Sequence, residues 1–152
     1  MFLIFLLSFN TFAENRPYQE VLKELYPKCK LEKKIHYLTQ NQIQEIKSKT
    51  KKNLASKIKI QYTDSCTKDR IYIDSHIVRT LNQTIVVAFN KGNIKFLEIA
   101  SFMEPPEYLP PPKWLKAFKS GHVDSLSGAT LTENALRNSL NEIKVVDEIL
   151  QK

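Results

Sequence analysis

The sequence predicts an α+β fold in which helices pack on an antiparallel sheet. Two observations favour this fold. Short segments of alternating or β-branched residues are separated by turn signals, which is typical of antiparallel strands. The chain then ends in a stretch whose apolar residues recur every three or four positions, as in an amphipathic helix. With 152 residues the chain has the size of one domain with a modest core, and we expect residues 14–152 to form it.

The first predicted elements are two helices. The first is bounded by Pro17 and Pro27, because proline is tolerated at a helix start and stops a helix further along. Its apolar residues are Val21, Leu22, Leu25 and Tyr26. Thr39 is the predicted N-cap of the second helix, which should end near Thr50.

Four strands are predicted next. Residues 57–62 and 70–74 alternate apolar with polar side chains, which is the period of a half-buried strand. Residues 84–89 are apolar and largely β-branched, and residues 94–99 return as their partner. Between these two, residues 90–93 read Asn-Lys-Gly-Asn, a hairpin turn in which glycine supplies a positive φ.

A proline-rich segment and a long helix complete the chain. The prolines within residues 105–112 exclude a helix or a central strand, so an extended loop is predicted there. A helical turn at residues 113–118 would place Trp114 and Phe118 on one side. The final helix is expected from about Thr132. Its apolar stripe consists of Leu136, Leu140, Ile143, Val146 and Leu150.

The most informative motif precedes that helix, at residues 124–132. It reads Asp-Ser-Leu-Ser-Gly-Ala-Thr-Leu-Thr, or D-x-x-S-G-A-T-x-T. Gly128 can adopt backbone angles that are closed to other residues, and Thr130 with Glu133 matches an S/T-x-x-E capping box. The free amides of a helix N-terminus attract a phosphate-sized anion, which here would lie beside a hydroxyl. An ordinary capped helix start fits the same residues.

This motif resembles the flavinylation motif of FMN-binding domains. The family includes the C-type subunit of sodium-pumping NADH:quinone reductase and the G-type subunit of Rnf complexes. In it, a flavin transferase joins FMN through its phosphate to the last threonine of S-G-A-T, so the resemblance implies a covalent FMN on Thr130. Asp124 would structure the turn or serve the transferase. The residues expected to surround the phosphate are Ser127, Gly128, Ala129 and Thr132.

The resemblance to small members of the family covers residues 69–145 and adds three residues to the expected cofactor site. Trp114 would stack near the flavin ring or pack in the core. Arg79 would balance negative charge on the flavin or pair with a surface carboxylate, and Val78 stands before it where the family often has glycine. Glu104, in an E-P-P-E-Y stretch, would belong to the site or accept hydrogen bonds from loop amides.

The N-terminal residues predict export. Residues 1–13 carry no charged side chain and are rich in Phe, Leu and Ile, with Thr-Phe-Ala before Glu14. This pattern is typical of a secretory signal peptide, although no Lys or Arg precedes the apolar run. The run is shorter than the roughly 20 residues of a membrane-spanning helix. We expect a location in the periplasm or at the extracytoplasmic face of the cell membrane; a buried strand or an uncleaved anchor is the alternative.

The charge of the chain narrows the class of partner. The formal net charge is +7, and lysine supplies nearly all of it. Residues 47–59 are rich in lysine but lack the arginines and interleaved aromatics of nucleic-acid sites, so nucleic acid is not an expected partner. A solvated face explains the lysines, and contact with an anionic membrane surface or an acidic redox partner is the alternative.

The two cysteines, Cys29 and Cys66, lack C-x-x-C or Cys/His ligand spacing, so no metal or haem site is predicted. In an oxidising compartment they could form one disulfide that ties the N-terminal segment to the body of the protein. Their separation in space does not follow from the sequence, so the pairing stays open at this point.

Together these features predict an exported electron carrier with covalent FMN. It would be matured by a flavin transferase and would work between redox partner proteins, as a relay and not as a complete enzyme. The spacing of the residues supports neither a nicotinamide site nor a nucleophile–base pair. Two alternatives are a non-redox binding module and a membrane-associated subunit of a larger reductase complex.

Overall fold

A five-stranded antiparallel sheet organises the part of the chain that the computed structural model describes, residues 15–152. The strands lie side by side in chain order: β1 (Leu31–Tyr37), β2 (Ile58–Asp64), β3 (Arg70–Ile77), β4 (Asn82–Asn90) and β5 (Asn93–Phe102). The helices are α1 (Tyr18–Leu25), α2 (Gln40–Thr50), α3 (Pro112–Ala117) and α4 (Thr130–Leu150). The predicted α+β class with an antiparallel sheet is confirmed. The predicted signal peptide lies outside the described residues.

Helix α1 covers part of one face of the sheet. It begins after Pro17 and ends before Pro27, as the two prolines predict. Its buried residues Val21 and Leu22 pack in a cluster with side chains of β3, β4 and β5. Because α1 has eight residues, it is only about 12 Å long and cannot span five strands.

Helices α2 and α4 cover the other face. Thr39 caps α2: its hydroxyl accepts the Gln42 N–H, and the Gln42 side chain accepts the Thr39 N–H. This reciprocal pair is the capping box that satisfies two otherwise free donors. The apolar stripe of α4 is buried against the sheet through Leu136, Leu140, Ile143 and Val146, as predicted.

The strand ladder is uneven. β3 and β4 pair along eight positions, and β4 continues into β5 through the turn at Lys91 and Gly92, which both have positive φ. β2 and β3 pair only from Gln61–Tyr72 to Thr63–Arg70 and then diverge. Strand β1 was not predicted, because three of the seven residues in LEKKIHY are charged and Lys33 interrupts the alternation of Leu31, Ile35 and Tyr37.

Two sequence predictions are wrong in detail. The proline segment is not wholly an extended loop: residues Pro106–Tyr108 form a 3-10 turn, and α3 begins at Pro112. Proline is tolerated in the first turn of a helix, where its missing N–H would have no partner anyway. The last helix begins at Thr130 and not near Thr132.

The register of the strands defines two ends of the sheet. The disulfide end carries Leu31, Asp64, Arg70, Asn90 and Asn93. The Thr130 end carries Tyr37, Ile58, Ile77, Asn82 and Phe102. At the first end a disulfide joins Cys29 to Cys66, whose Cα atoms are 5.7 Å apart, so the pairing that the sequence left open is formed.

Candidate functional site

One carboxylate fixes the loop that joins β3 to β4 at the Thr130 end. The N–H groups of Arg79, Thr80 and Leu81 donate to Oε1 of Glu104 at 3.0, 2.7 and 2.9 Å. Glu104 is 6% exposed, and the bonds from the Thr80 and Leu81 amides in particular hold the pKa of its carboxyl below its usual range. Glu104 therefore acts as a loop-fixing acceptor, the second of the two roles that the sequence allowed.

The held loop presents Arg79 to a groove. Its guanidinium lies over the ring of Tyr108, 4.6 Å from the ring centroid, in a cation–π contact. Among residues 15–152 no carboxylate forms an ion pair with Arg79. Its positive charge therefore has no ion-pair partner within residues 15–152, although it lies near enough to Glu104 to help lower the pKa of that carboxyl. The groove has a volume of about 310 Å³ and is lined by Arg79, Tyr108, Gly128, Ala129, Thr130, Leu131 and Thr132.

The turn that leads into α4 forms the opposite wall of the groove. Gly128 has a φ of +78°, a left-handed conformation that glycine adopts without strain. The Ala129 N–H donates to the carbonyl of Leu126 at 3.2 Å, which closes the turn, and Ala129 is the N-cap residue of the helix. The predicted narrow turn at Gly128 and Ala129 is confirmed.

The predicted capping box of Thr130 and Glu133 is wrong. Thr130 is already the first helical residue, and no side chain caps this helix. The Glu133 carboxylate instead accepts the Leu126 N–H at 2.6 Å and pairs with Arg137 at 2.8 Å. The Leu126 bond in particular lowers the pKa of Glu133. The helix begins one residue earlier than a capping box with Thr130 as N-cap requires. Glu133 therefore stabilises the preceding turn through its bond to the Leu126 N–H instead.

The helix N-terminus leaves backbone donors free beside the Thr130 side chain. The first helical hydrogen bond runs from the Glu133 N–H to the Ala129 carbonyl at 3.0 Å. The N–H groups of Thr130, Leu131 and Thr132 therefore precede the hydrogen-bond ladder and carry the positive end of the helix dipole. Thr130 itself is exposed.

A buried hydroxyl in the same groove has no partner. Thr132 is 1% exposed, and within residues 15–152 its Oγ1 forms no hydrogen bond. Buried hydroxyls are normally satisfied, because an unpaired one costs roughly 1–3 kcal/mol. Thr132 lines the groove, but its Oγ1 is itself buried, so this hydroxyl can meet an oxygen atom of a ligand only if the side chain or the turn moves.

Three other predicted site residues lie outside the lining of the groove. Trp114 is buried in the core that α4 shares with the sheet, and its Nε1 donates to the Asp124 carbonyl at 2.7 Å. The packing role that the sequence allowed for Trp114 is the one observed. The Asp124 side chain is 92% exposed beside His122, and Ser127 is also exposed. Asp124 therefore structures the turn through its backbone carbonyl and not through its carboxylate.

A second polar cluster lies further along α4. His76 Nδ1 lies 2.8 Å from Asp74 Oδ2, which also accepts the Ser139 hydroxyl at 2.6 Å. His76 Nε2 lies 3.0 Å from the Gln83 side-chain oxygen. Among the buried side-chain atoms of this cluster, Gln83 Nε2 alone lacks a partner within residues 15–152, which indicates that the cluster joins β3 and β4 to α4 structurally.

The structure thus brings Arg79 together with Gly128, Ala129, Thr130 and Thr132, and Glu104 holds Arg79 in place. Sequence reasoning missed Tyr108, which supports the Arg79 guanidinium. The only sequence signal for it was its place in the E-P-P-E-Y stretch, which names no role for the aromatic ring.

No helix within residues 15–152 combines the length and the apolar character needed to cross a bilayer. Comparison with protein-family models, with curated proteins and with solved structures finds no match to this chain. The resemblance of residues 124–132 to a flavinylation motif therefore remains a prediction from the sequence.

Proposed function

We propose that this protein is an exported electron carrier that holds FMN by a phosphoester bond to Thr130. The observation that carries the proposal is a groove lined by an exposed threonine, by free amides of a helix N-terminus and by an arginine that forms no ion pair within residues 15–152. The resemblance of residues 124–132 to a flavinylation motif suggests FMN as the ligand, and the groove offers a hydroxyl for attachment and donors for the phosphate.

The groups that line the groove fit a phosphoester. The free N–H groups of Thr130, Leu131 and Thr132 favour an anion at the start of α4. The buried, unpaired Thr132 hydroxyl would become a further donor if the turn moved on binding, and its unsatisfied state is costly. Arg79 contributes a positive charge from the opposite wall.

The exposure of Thr130 supports covalent attachment. A transferase must reach the hydroxyl that it modifies, and Thr130 is exposed, whereas the hydroxyl of Thr132 is buried. The new bond would join Thr130 Oγ1 to the phosphorus of the FMN moiety while the pyrophosphate bond of a flavin dinucleotide donor breaks. The nucleoside monophosphate would leave with the hydroxyl proton, and the protein mass would increase by one FMN less one water. This difference in accessibility separates the two threonines of the motif.

The flavin, once attached, supplies one- and two-electron chemistry. The residues of the chain bind and orient it. Glu104 keeps the Arg79 loop in position, and Arg79 favours negative charge in the groove. Because the groove opens on the surface, partner proteins outside the cytoplasm could approach it directly, which suits a relay.

The test is co-expression with a flavin transferase in an exporting host. The wild-type protein should keep its yellow fluorescence after denaturation and show the mass of one FMN less one water. Thr130→Ala should abolish both signals, because it removes the hydroxyl that would bond to the phosphorus at the start of α4. Ser125→Ala, which removes an exposed hydroxyl at a variable position of the motif, is the matched control and should keep both.

Thr132→Val separates attachment from binding. It removes the unpaired hydroxyl at nearly constant volume and should lower the yield of flavinylated protein without abolishing it. Covalent flavin on Thr130→Ala, or a wild-type protein that stays colourless with an active transferase, would contradict the proposal.

A further inference from the structure

Strands β1 and β2 carry an apolar surface that no described element covers. Ile35, Tyr37, Ile58 and Ile60 are 47%, 74%, 48% and 37% exposed. In the ladder Ile35 pairs with Ile60, and Tyr37 pairs with Ile58. Paired residues of antiparallel strands point to the same face, so these four side chains form one patch, which we call the ribbon face.

The ribbon face lies on the side of the sheet that α1 occupies. Tyr62 and Leu31 alternate in phase with these residues along the same strands, and both pack against the α1 cluster. The hydroxyl of Tyr18 on α1 lies 3.4 Å from that of Tyr62. The helix contacts β4 and β5, so within residues 15–152 the far half of β1 and β2 stays bare.

Exposed lysines surround the ribbon face. Lys33 shares the face itself, and Lys34 is its neighbour on β1. Lys57 directly precedes Ile58, and Lys51 and Lys52 lie in the segment that leads to β2. Among the described residues none of the five forms an ion pair. Glu32, the acid on β1, alternates to the opposite face, and so does Lys34, so Lys33 is the β1 lysine that lies on the ribbon face itself.

We infer that the ribbon face docks on an anionic lipid surface. Large apolar side chains ringed by unpaired lysines match the interface of such a membrane, where the apolar groups enter the headgroup region and the lysines face the lipid charges. A second copy of this chain is a poorer fit. Pairing β1 with itself about its centre would set Lys34 opposite Lys34, and like charges directly opposite are unfavourable.

The docked orientation has a consequence for the groove. Tyr37 and Ile58 belong to the Thr130 end of the sheet, the end at which Arg79 and Thr130 line the groove. Docking would therefore hold that end near the lipid surface, within reach of membrane-bound redox proteins. This consequence rests on the proposed function, whereas the docking itself does not.

The first test measures sedimentation of the full chain with lipid vesicles. One set contains neutral phosphatidylcholine, and the other contains phosphatidylcholine with phosphatidylglycerol at about 3:1. The protein should sediment with the anionic set only, and raising the salt concentration should release it. Tyr37→Asp with Ile58→Asp should weaken binding at least tenfold. Lys113→Gln with Lys116→Gln, a pair of exposed lysines on α3, should leave it unchanged.

The second test locates the contact, since residues 1–14 are present in every variant. Hydrogen exchange should slow in β1 and in residues 58–62 when anionic vesicles are added, and not in α3. The same preparations, analysed for flavin mass, show whether attachment at Thr130 succeeded, so the two proposals fail independently.

Three outcomes would overturn the inference. One is the absence of binding, or equal binding to neutral and anionic vesicles. Another is binding that survives the Tyr37 and Ile58 changes with no protection of β1 and β2, since a different segment would then be the anchor. The third is a dimer in sedimentation velocity that the same double variant dissociates, because the partner would then be a second copy.

Discussion

The two ends of the sheet differ in how completely their polar groups are satisfied. At the disulfide end, the buried Asp64 carboxylate accepts the N–H groups of Cys66, Thr67 and Asp69 and the hydroxyl of Thr67. Asp69, also buried, accepts from Tyr26, Asn90 and Lys95. The Thr130 end contains Gln83 Nε2 and Thr132 Oγ1, the two buried side-chain atoms that lack a partner within residues 15–152.

The apolar surface shows the same contrast. The large apolar side chains exposed at the Thr130 end include Tyr37, Ile58, Ile77, Leu81, Met103 and Leu131. The disulfide end is further closed by Arg70, which makes a bidentate contact with Asp147 near the C-terminus of α4. Satisfied networks rigidify a fold, so we expect the disulfide end to contribute more to stability. We expect the unsatisfied groups and exposed apolar side chains of the Thr130 end to favour binding of a partner.

Removing the disulfide is the largest expected change in stability. The bridge closes a segment with a sequence separation of 37, and for this length the chain-entropy relation gives a stabilisation of about 3–4 kcal/mol. Cys29→Ser with Cys66→Ser should therefore lower the free energy of unfolding by about that amount in urea titrations. Flavin attachment at Thr130 should be unchanged in the protein that remains folded.

If the double cysteine variant lost flavin attachment as well as stability, the two ends of the sheet would not act independently. The comparison is made well below the unfolding midpoint, so that both proteins are fully folded. Reduction of the wild type with dithiothreitol is the parallel control, because it breaks the same bond without changing the sequence elsewhere.

The second prediction compares two carboxylates that hold backbone amides, one at each end. Asp64→Asn replaces an acceptor by an amide NH₂ that faces donors, and the unsatisfied groups should lower the free energy of unfolding by about 1–3 kcal/mol. Glu104→Gln should have a smaller effect on global unfolding. Its loop should show faster hydrogen exchange at residues 79–81, and flavin attachment should fall because Arg79 is no longer held.

The pH dependence sharpens this prediction. Burial alone would raise the pKa of Asp64, but its hydrogen bonds, led by those from Thr67, overcome this effect, and the pKa lies below its usual range. A carboxyl with a lowered folded pKa stabilises the fold above its unfolded pKa of about 4, and the contribution is lost as pH falls through the folded pKa. Acid should therefore destabilise the wild type below about pH 4, and Asp64→Asn should reduce that slope. An unchanged slope would show that Asp64 carries no such contribution.

The sequence predicted those elements of the fold whose signals are local. The hairpin at Asn90–Asn93 follows from a glycine with positive φ, and α1 follows from the prolines that bound it. Strand β1 could not be predicted in the same way. It is an edge strand with one neighbour and mostly exposed side chains, so burial did not exclude Lys33 from its apolar face, and the alternating pattern is interrupted.

In the site, too, the features set by adjacent residues were predicted, and the contacts between residues distant in sequence were not. The turn at Gly128 and Ala129 was predicted from adjacent residues, and the helix start was misplaced by two positions because both Thr130 and Thr132 are acceptable there. The meeting of Tyr108 with the Arg79 loop depends on Glu104, which is 25 residues from Arg79. No spacing rule in the sequence indicates that contact.

The smallest expected effect comes from a matched pair of glycines. Gly92 lies in the β4–β5 turn at the disulfide end with φ +80°, and Gly128 lies beside the groove with φ +78°. A Cβ at either position meets nothing within 4 Å, so Gly92→Ala and Gly128→Ala impose only the backbone strain of a left-handed alanine. Each should lower the free energy of unfolding by about 1–2 kcal/mol. Only Gly128→Ala should also reduce flavin attachment, because it alone alters the turn that aims the α4 amides and the Thr130 hydroxyl. Equal flavin attachment in both variants would show that the shape of this turn is not required for attachment. The charged and polar groups of the groove would then be the features that remain to explain it.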